Sequence, residues 1–170
     1  YSKGETTMVE VEVYGISIAP NTGTPIVLLK PKEDSLRKLL LPIWIGPPEA
    51  WAIQWPLKGH IPSRPMTHDL LKNAIESLGA KVVSVYVHSM KEETYFGQIT
   101  LDVNGKSIEL DSRPSDAIAL ALRCGATIYV AKNVIEKHSI SEADVTEAEE
   151  QQAKSSLENL DEDTLGQYTV

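Results

Sequence analysis

Cysteine is nearly missing from this 170-residue chain. The lone Cys124 has no partner within the chain, so no intrachain disulfide forms and no thiolate metal site can be built. It ends an apolar stretch and reads as a small buried hydrophobe. Long apolar runs are missing too: none approaches the ~18 residues that a membrane helix needs, so no membrane span is expected. There is no excess of base and no Lys/Arg cluster, which speaks against a high-affinity nucleic-acid binder held by charge alone. The four histidines, His60, His68, His88 and His138, show no zinc spacing. No GxSxG, GxGxxG or GxxxxGK[ST] pattern occurs, so the common hydrolase elbow, dinucleotide and P-loop classes fall away.

The length and the 42% apolar content fit one soluble globular domain with a sizeable core. The net charge of −8 is local. Residues 141–170 hold nine of the 24 acids against one base, Lys154, so the first 140 residues are neutral. A neutral body can still carry a basic groove. Three parts are expected: an N-terminal arm over 1–7, a domain over 8–138, and an acidic, partly helical tail over 139–170 that is free to contact a partner. A cytoplasmic setting is expected; the chain starts at Tyr1, which leaves room for a removed targeting segment.

Along the chain, MVEVEVYGISI (8–18) alternates as a half-buried strand, and PIVLLK (25–30) follows a turn cluster. LLLPIWIG (39–46) reads as a third strand, with Pro42 marking an edge or bulge. Residues 47–59 read as a short helix that Pro56 breaks early. Its Trp51 and Trp55 share a face suited to a core or an interface, with ligand stacking as the alternative. HDLLKNAIESLGA (68–80) has helical spacing, with Thr67 as N-cap and Gly79 just past the end. A strand over 81–89 follows, then two strands joined at Asn104-Gly105, a strong hairpin signal. A helix over 114–124 and a strand through ATIYV complete the set. The expected fold is α+β: a compact single domain with a mixed or antiparallel sheet, two main helices against it, and the acidic helical tail. Tyr86, Tyr95 and Phe96 on strands suit packing, and His88 reads as structural.

One stretch asks for more than packing. DSRPSDAIALALRCGATIYV opens a buried helix with Asp111, Ser112, Arg113, Ser115 and Asp116. The same order occurs earlier: Arg64-Pro65, Thr67, Asp69, helix, Gly79-Ala80, strand. The two helix starts are built alike and are expected to lie near each other. Capping accounts for Ser112, Pro114 and Asp116. Arg113 and Asp111 are left over. Chemistry is the other use: helix starts and arginines favour phosphate, and carboxylates hold a divalent metal or act as a base. Arg64, His68, Asp69, Asp111, Arg113 and Asp116 together suit phosphodiester hydrolysis, with Mg²⁺ or Mn²⁺ on the aspartates and His68 protonating the leaving oxygen. Both uses stand open at the level of spacing. A hydrolase built on His68 and Asp69 alone ranks last, because neighbours on a helix point about 100° apart.

Read together, LLLPIWIGPPEAWAI, RPMTHDLL, ESLGAKVVSVYV, TYFGQITL and DSRPSDAIALALRCGATIYV resemble the bifunctional nuclease domain family over roughly residues 8 to 138. The resemblance implies a compact α+β domain, nuclease activity on RNA and DNA, and a homodimer. It marks Arg64, Thr67, His68 and Asp69 in one block and Asp111, Ser112, Arg113, Ser115 and Asp116 in the other. Asp111, Asp116, Asp69 and His68 become the catalytic candidates. Arg64, Arg113, Ser112, Ser115 and Thr67 become the substrate-binding ones. Glu49, the acid after the IWIG block, joins Asp111 and Asp69 as a candidate metal ligand. Pro48, Trp51, Trp55 and Pro56 depart from the Ala- and Leu-rich helix usual at that place. The alternative function is a non-catalytic anion-binding or regulatory dimerisation module.

Overall fold

The computed structural model describes residues 7–148. The expected arm and most of the acidic tail therefore lie outside the described residues. Eight strands form one mixed sheet: β1 (Met8–Ile18), β2 (Pro25–Pro31), β3 (Leu39–Trp44), β4 (Ala80–Lys91), β5 (Thr94–Val103), β6 (Lys106–Ser112), β7 (Thr127–Ala131) and β8 (Ile140–Ser141). Their order is β6-β5-β4-β7-β1-β2-β3-β8. Among the described residues, α1 (Pro47–Leu57), α2 (Thr67–Ser77), α3 (Pro114–Cys124) and α4 (Lys132–His138) accompany them, and residues 142–148 are also helical. This is the expected α+β architecture: α2 and α3 are the two main helices, α1 is the short one expected over 47–59, and α4 is additional. β4 and β7 run parallel, and the excursion through β5, β6 and α3 supplies the crossover that parallel neighbours require.

Strand alternation sorts the sheet into two faces. Val11, Ile128, Val85 and Ile99 stand in register across β1, β7, β4 and β5, and all are buried. One residue along each strand, Glu10, Tyr129, Tyr86, Gln98 and Asp111 form the opposite row. α3 lays Ala117, Ile118, Leu120 and Ala121 on the buried face. Each large aliphatic there contributes ~1.5–3 kcal/mol by leaving water, and the alanines let the helix come close. Gly97 permits a second close approach. A Cβ there would stand 2.9 Å from the Ser112 carbonyl oxygen and 3.2 Å from Pro114 Cα, so β5 can pass against the start of α3 only without a side chain.

Turn chemistry follows strand twist. Asn104 (φ 53°) and Gly105 (φ 82°) form the expected hairpin turn between β5 and β6. Glu92 (φ 48°) and Glu93 (φ 63°) adopt the same left-handed pair between β4 and β5. Nothing in a Glu-Glu pair announces this; the two-residue connection between twisted strands imposes it.

Several local expectations need correction. β3 ends at Trp44, not residue 46, and among the described residues β8 pairs with Leu39 and Leu40, so Pro42 lies beyond the paired part of that edge. Thr67 is not the cap of α2. Met66 holds that position in extended conformation, and the Asp69 carboxylate accepts its N–H at 2.9 Å. Ser112 is not the cap of α3. Pro114 forces the residue before it into extended backbone, so Arg113 flanks the helix, and the Ser112 hydroxyl donates to the Arg113 carbonyl at 2.9 Å. Pro56 does not break α1 early, since the helix runs to Leu57. The boundary expected at 138 falls inside the fold. β8 and the helical residues 142–148 continue it, with Lys30 and Glu142 paired at 2.7 Å.

Candidate functional site

α3 packs against both α1 and α2, which brings the two look-alike helix starts together. Asp69 and Asp116 occupy the same third position of their helices, and each receives an arginine. Arg113 Nε donates to Asp116 Oδ2 at 2.7 Å and Nη2 to Oδ1 at 3.1 Å, a forked pair. Its Nη1 donates to Glu49 Oε1 at 3.1 Å, tying the start of α1 to the start of α3. His68 Nε2 lies 3.0 Å from Asp116 Oδ1. With Nε2–H donating to the carboxylate, the Nδ1 lone pair is left free to take a proton. The His68 side chain is 14% exposed and that of Arg113 65%.

The second arginine was not anticipated. Arg123 Nε donates to Asp69 Oδ1 at 2.6 Å, and its Nη1 donates to the carbonyls of Ala52 at 2.7 Å and Ala119 at 2.8 Å. Ala52 is four residues before Pro56. Proline has no N–H to give that carbonyl, and Arg123 fills the vacancy. That is why α1 survives its proline. An arginine in a last turn reads as a partner for the helix dipole, so only the pairing of a late Pro with a distant Arg could have signalled it.

Burial pushes the Asp116 carboxyl up, but the hydrogen bonds from Arg113 and His68 outweigh it and hold the group below its ordinary range. Asp69 follows the same balance: burial raises it, while the Met66 N–H and Arg123 bring it lower. The Arg113 guanidinium is raised, first by its bond to Asp116. Both aspartates are therefore held as anions.

Two cavities flank the Arg113–Glu49 pair. One, of about 360 Å³, holds His68, Asp116 and Thr67 beside Trp51 and Trp55. The other, of about 570 Å³, is lined by Trp44, Met90, Tyr95, Pro114 and the buried Ser115. Arg113 and Glu49 border both, so the pair forms a partition in one groove.

The remaining expected site residues lie elsewhere. Asp111 is exposed on β6, in the outer row with Gln98 and Tyr86, and borders neither cavity. Arg64 is exposed in the connection before α2 and borders neither cavity. Ser112 is turned to the Arg113 carbonyl. Among the described residues no three His, Cys, Asp or Glu side chains converge as metal ligands. The donor set explains this: Asp69 is committed to Arg123 and the Met66 N–H, and Glu49 and Asp116 to Arg113. The trio Asp111, Asp69 and Glu49 does not fit a divalent cation as arranged. Among the described residues no helix is long and apolar enough to cross a membrane.

Comparison with known proteins agrees with the resemblance. The bifunctional nuclease domain matches residues 27–143. An uncharacterized protein of Mycobacterium tuberculosis is 38% identical over 128 residues, covering 75% of this chain and 74% of its own length. Bifunctional nuclease 1 of Arabidopsis thaliana is 32% identical over 111 residues, 64% of this chain and 34% of that one. Bifunctional nuclease 2 of Oryza sativa subsp. japonica is 28% identical over 123 residues, 71% of this chain and 37% of that one. The chain thus spans about a third of these plant relatives. The matched region contains both helix starts and the His68–Asp116–Arg113 constellation that they assemble, and the chain belongs to the bifunctional nuclease domain family.

Proposed function

We propose that the chain is a nuclease that hydrolyses phosphodiester bonds of RNA and DNA with little sequence preference. The observation that carries this reading is the His68–Asp116 bond beside the exposed, forked Arg113 in an open cavity. Arg113 uses its Nε–H and one N–H on each terminal nitrogen on Asp116 and Glu49, which leaves one further N–H on Nη1 and one on Nη2 to donate to a phosphate. His68, oriented by Asp116, moves the proton at Nδ1. Both groups act on any phosphodiester, because neither reads a base.

Divalent-metal assistance belongs to the proposal only as a tested condition. A cation would take Glu49 and Asp116 only after Arg113 had released them. A single-turnover assay on labelled single-stranded RNA and DNA, with Mg²⁺, Mn²⁺ or EDTA, separates the cases. Asp116→Asn is expected to lower cleavage at least about tenfold, because the imidazole loses its anionic partner. Asp111→Asn is expected to cleave like the wild type. The reverse pattern would move the chemistry to the outer face of β6. No cleavage by any folded variant or by the wild type would favour the second reading, a non-catalytic anion-binding or regulatory module. That reading draws on the engagement of Glu49, Asp69 and Asp116 by arginines.

A homodimer is also proposed. α2 buries none of its residues and leaves Leu70, Leu71 and Leu78 exposed, an apolar strip suited to a second copy. Sedimentation is expected to give twice the chain mass for the wild type and the single mass for Leu70→Glu/Leu78→Glu. A wild type that sediments at the single mass at micromolar concentration sinks the proposal.

A further inference from the structure

The proposed chemistry makes no use of the tryptophans that share its cavity. Trp51 and Trp55 lie one turn apart on α1, with ring centroids 6.1 Å apart and planes at 85°. They form a corner, not a stack. Trp51 is 59% exposed, which is unusual for the largest apolar side chain unless something covers it. Pro48 and Met66 add apolar surface to the same lining, and Arg113, His68 and Asp116 line the cavity with them. Its volume of about 360 Å³ is at the lower end for small-ligand pockets. One wall is a flat aromatic face. The polar part is the exposed Arg113, with one N–H left on each terminal nitrogen beyond its bonds to Asp116 and Glu49, beside the His68 imidazole. A nucleotide presents the matching parts, a flat base and an anion at its phosphate. A simple phosphate has no flat face and would satisfy only the polar part.

We propose that Trp51 is the stacking platform for one unstacked base of a single strand whose adjoining phosphate lies at Arg113. The choice of a nucleic-acid ligand rests on the nuclease reading above. The platform tolerates any base, because every base has a π-face to stack. It selects single strands. A base inside a duplex already has both faces occupied and reaches Trp51 only by leaving its stack, at a cost that a single strand does not meet. The larger cavity beyond the Arg113–Glu49 partition gives the strand room to continue past the phosphate.

Binding is read by tryptophan fluorescence in the His68→Ala chain, which removes the proposed proton-transfer group, with a short oligothymidylate as the probe. The strand is expected to quench the emission. Trp51→Ala is expected to weaken binding, read by fluorescence anisotropy of the labelled strand, by about tenfold. Trp51→Phe is expected to restore most of it, and the matching duplex to compete poorly. Because Trp51 is exposed, both variants should fold, and unchanged circular dichroism checks this. Unaltered affinity in Trp51→Ala, or equal competition by the duplex, overturns the inference. The two readings fail separately. Cleavage with Trp51-independent binding keeps the nuclease and removes the platform. Trp51-dependent binding without cleavage keeps the platform and removes the nuclease.

Discussion

His68→Ala is expected to lower single-turnover cleavage of RNA and DNA by about 10²–10⁴, the usual range for losing a proton-transfer group. The size of the effect follows from the surroundings. His68 is the imidazole in the cavity, and its Nε2 is held 3.0 Å from Asp116. The carboxylates there, Glu49 and Asp116, accept hydrogen bonds from Arg113 and are poor substitutes. The loss should not come from unfolding. The side chain sits at the second position of α2 and lines a cavity, and alanine is well tolerated in a helix. The variant leaves a ring-sized space beside Asp116, so added imidazole should restore part of the rate. Cleavage within a few-fold of wild type by a folded His68→Ala chain would falsify the assignment of His68.

Arg123→Met is expected to destabilise the fold by about 3 kcal/mol. Arg123 is 8% exposed and makes three bonds, to Asp69 and to the carbonyls of Ala52 and Ala119. Methionine fills similar space but leaves a half-buried carboxylate and the Ala52 carbonyl without their partner. The Ala52 share can be isolated. In a Pro56→Ala background α1 regains the N–H that proline removed, and that N–H can bond Ala52 directly. Arg123→Met should then cost about 1 kcal/mol less than in the wild type. Urea denaturation of the four proteins measures the difference. Equal costs in both backgrounds would mean that the carbonyl contributes nothing and that Asp69 alone explains Arg123.

What was legible in the sequence was local. Period-two and helical spacing marked β1, α2 and α3, and Asn104-Gly105 marked its turn because few residues accept φ > 0 at two positions running. The Arg-Pro repeats marked two helix starts as equivalents, and they do meet. The choice among their residues was not legible. Asp111 and Asp116 are five apart and chemically the same, yet one follows strand alternation to the outer face of β6 and the other enters the first turn of α3. Arg64 and Arg123 are likewise the same residue type, and the one bonded to Asp69 stands 54 positions away. His68 meets Asp116 across 48 positions. Backbone preference acts over a few residues, so composition and spacing determine which elements form and where each begins. Pairing between distant side chains depends on sheet register and on how closely α3 approaches α1 and α2. Those are properties of the packed chain, and they decided which carboxylates and which arginines come together at the two helix starts.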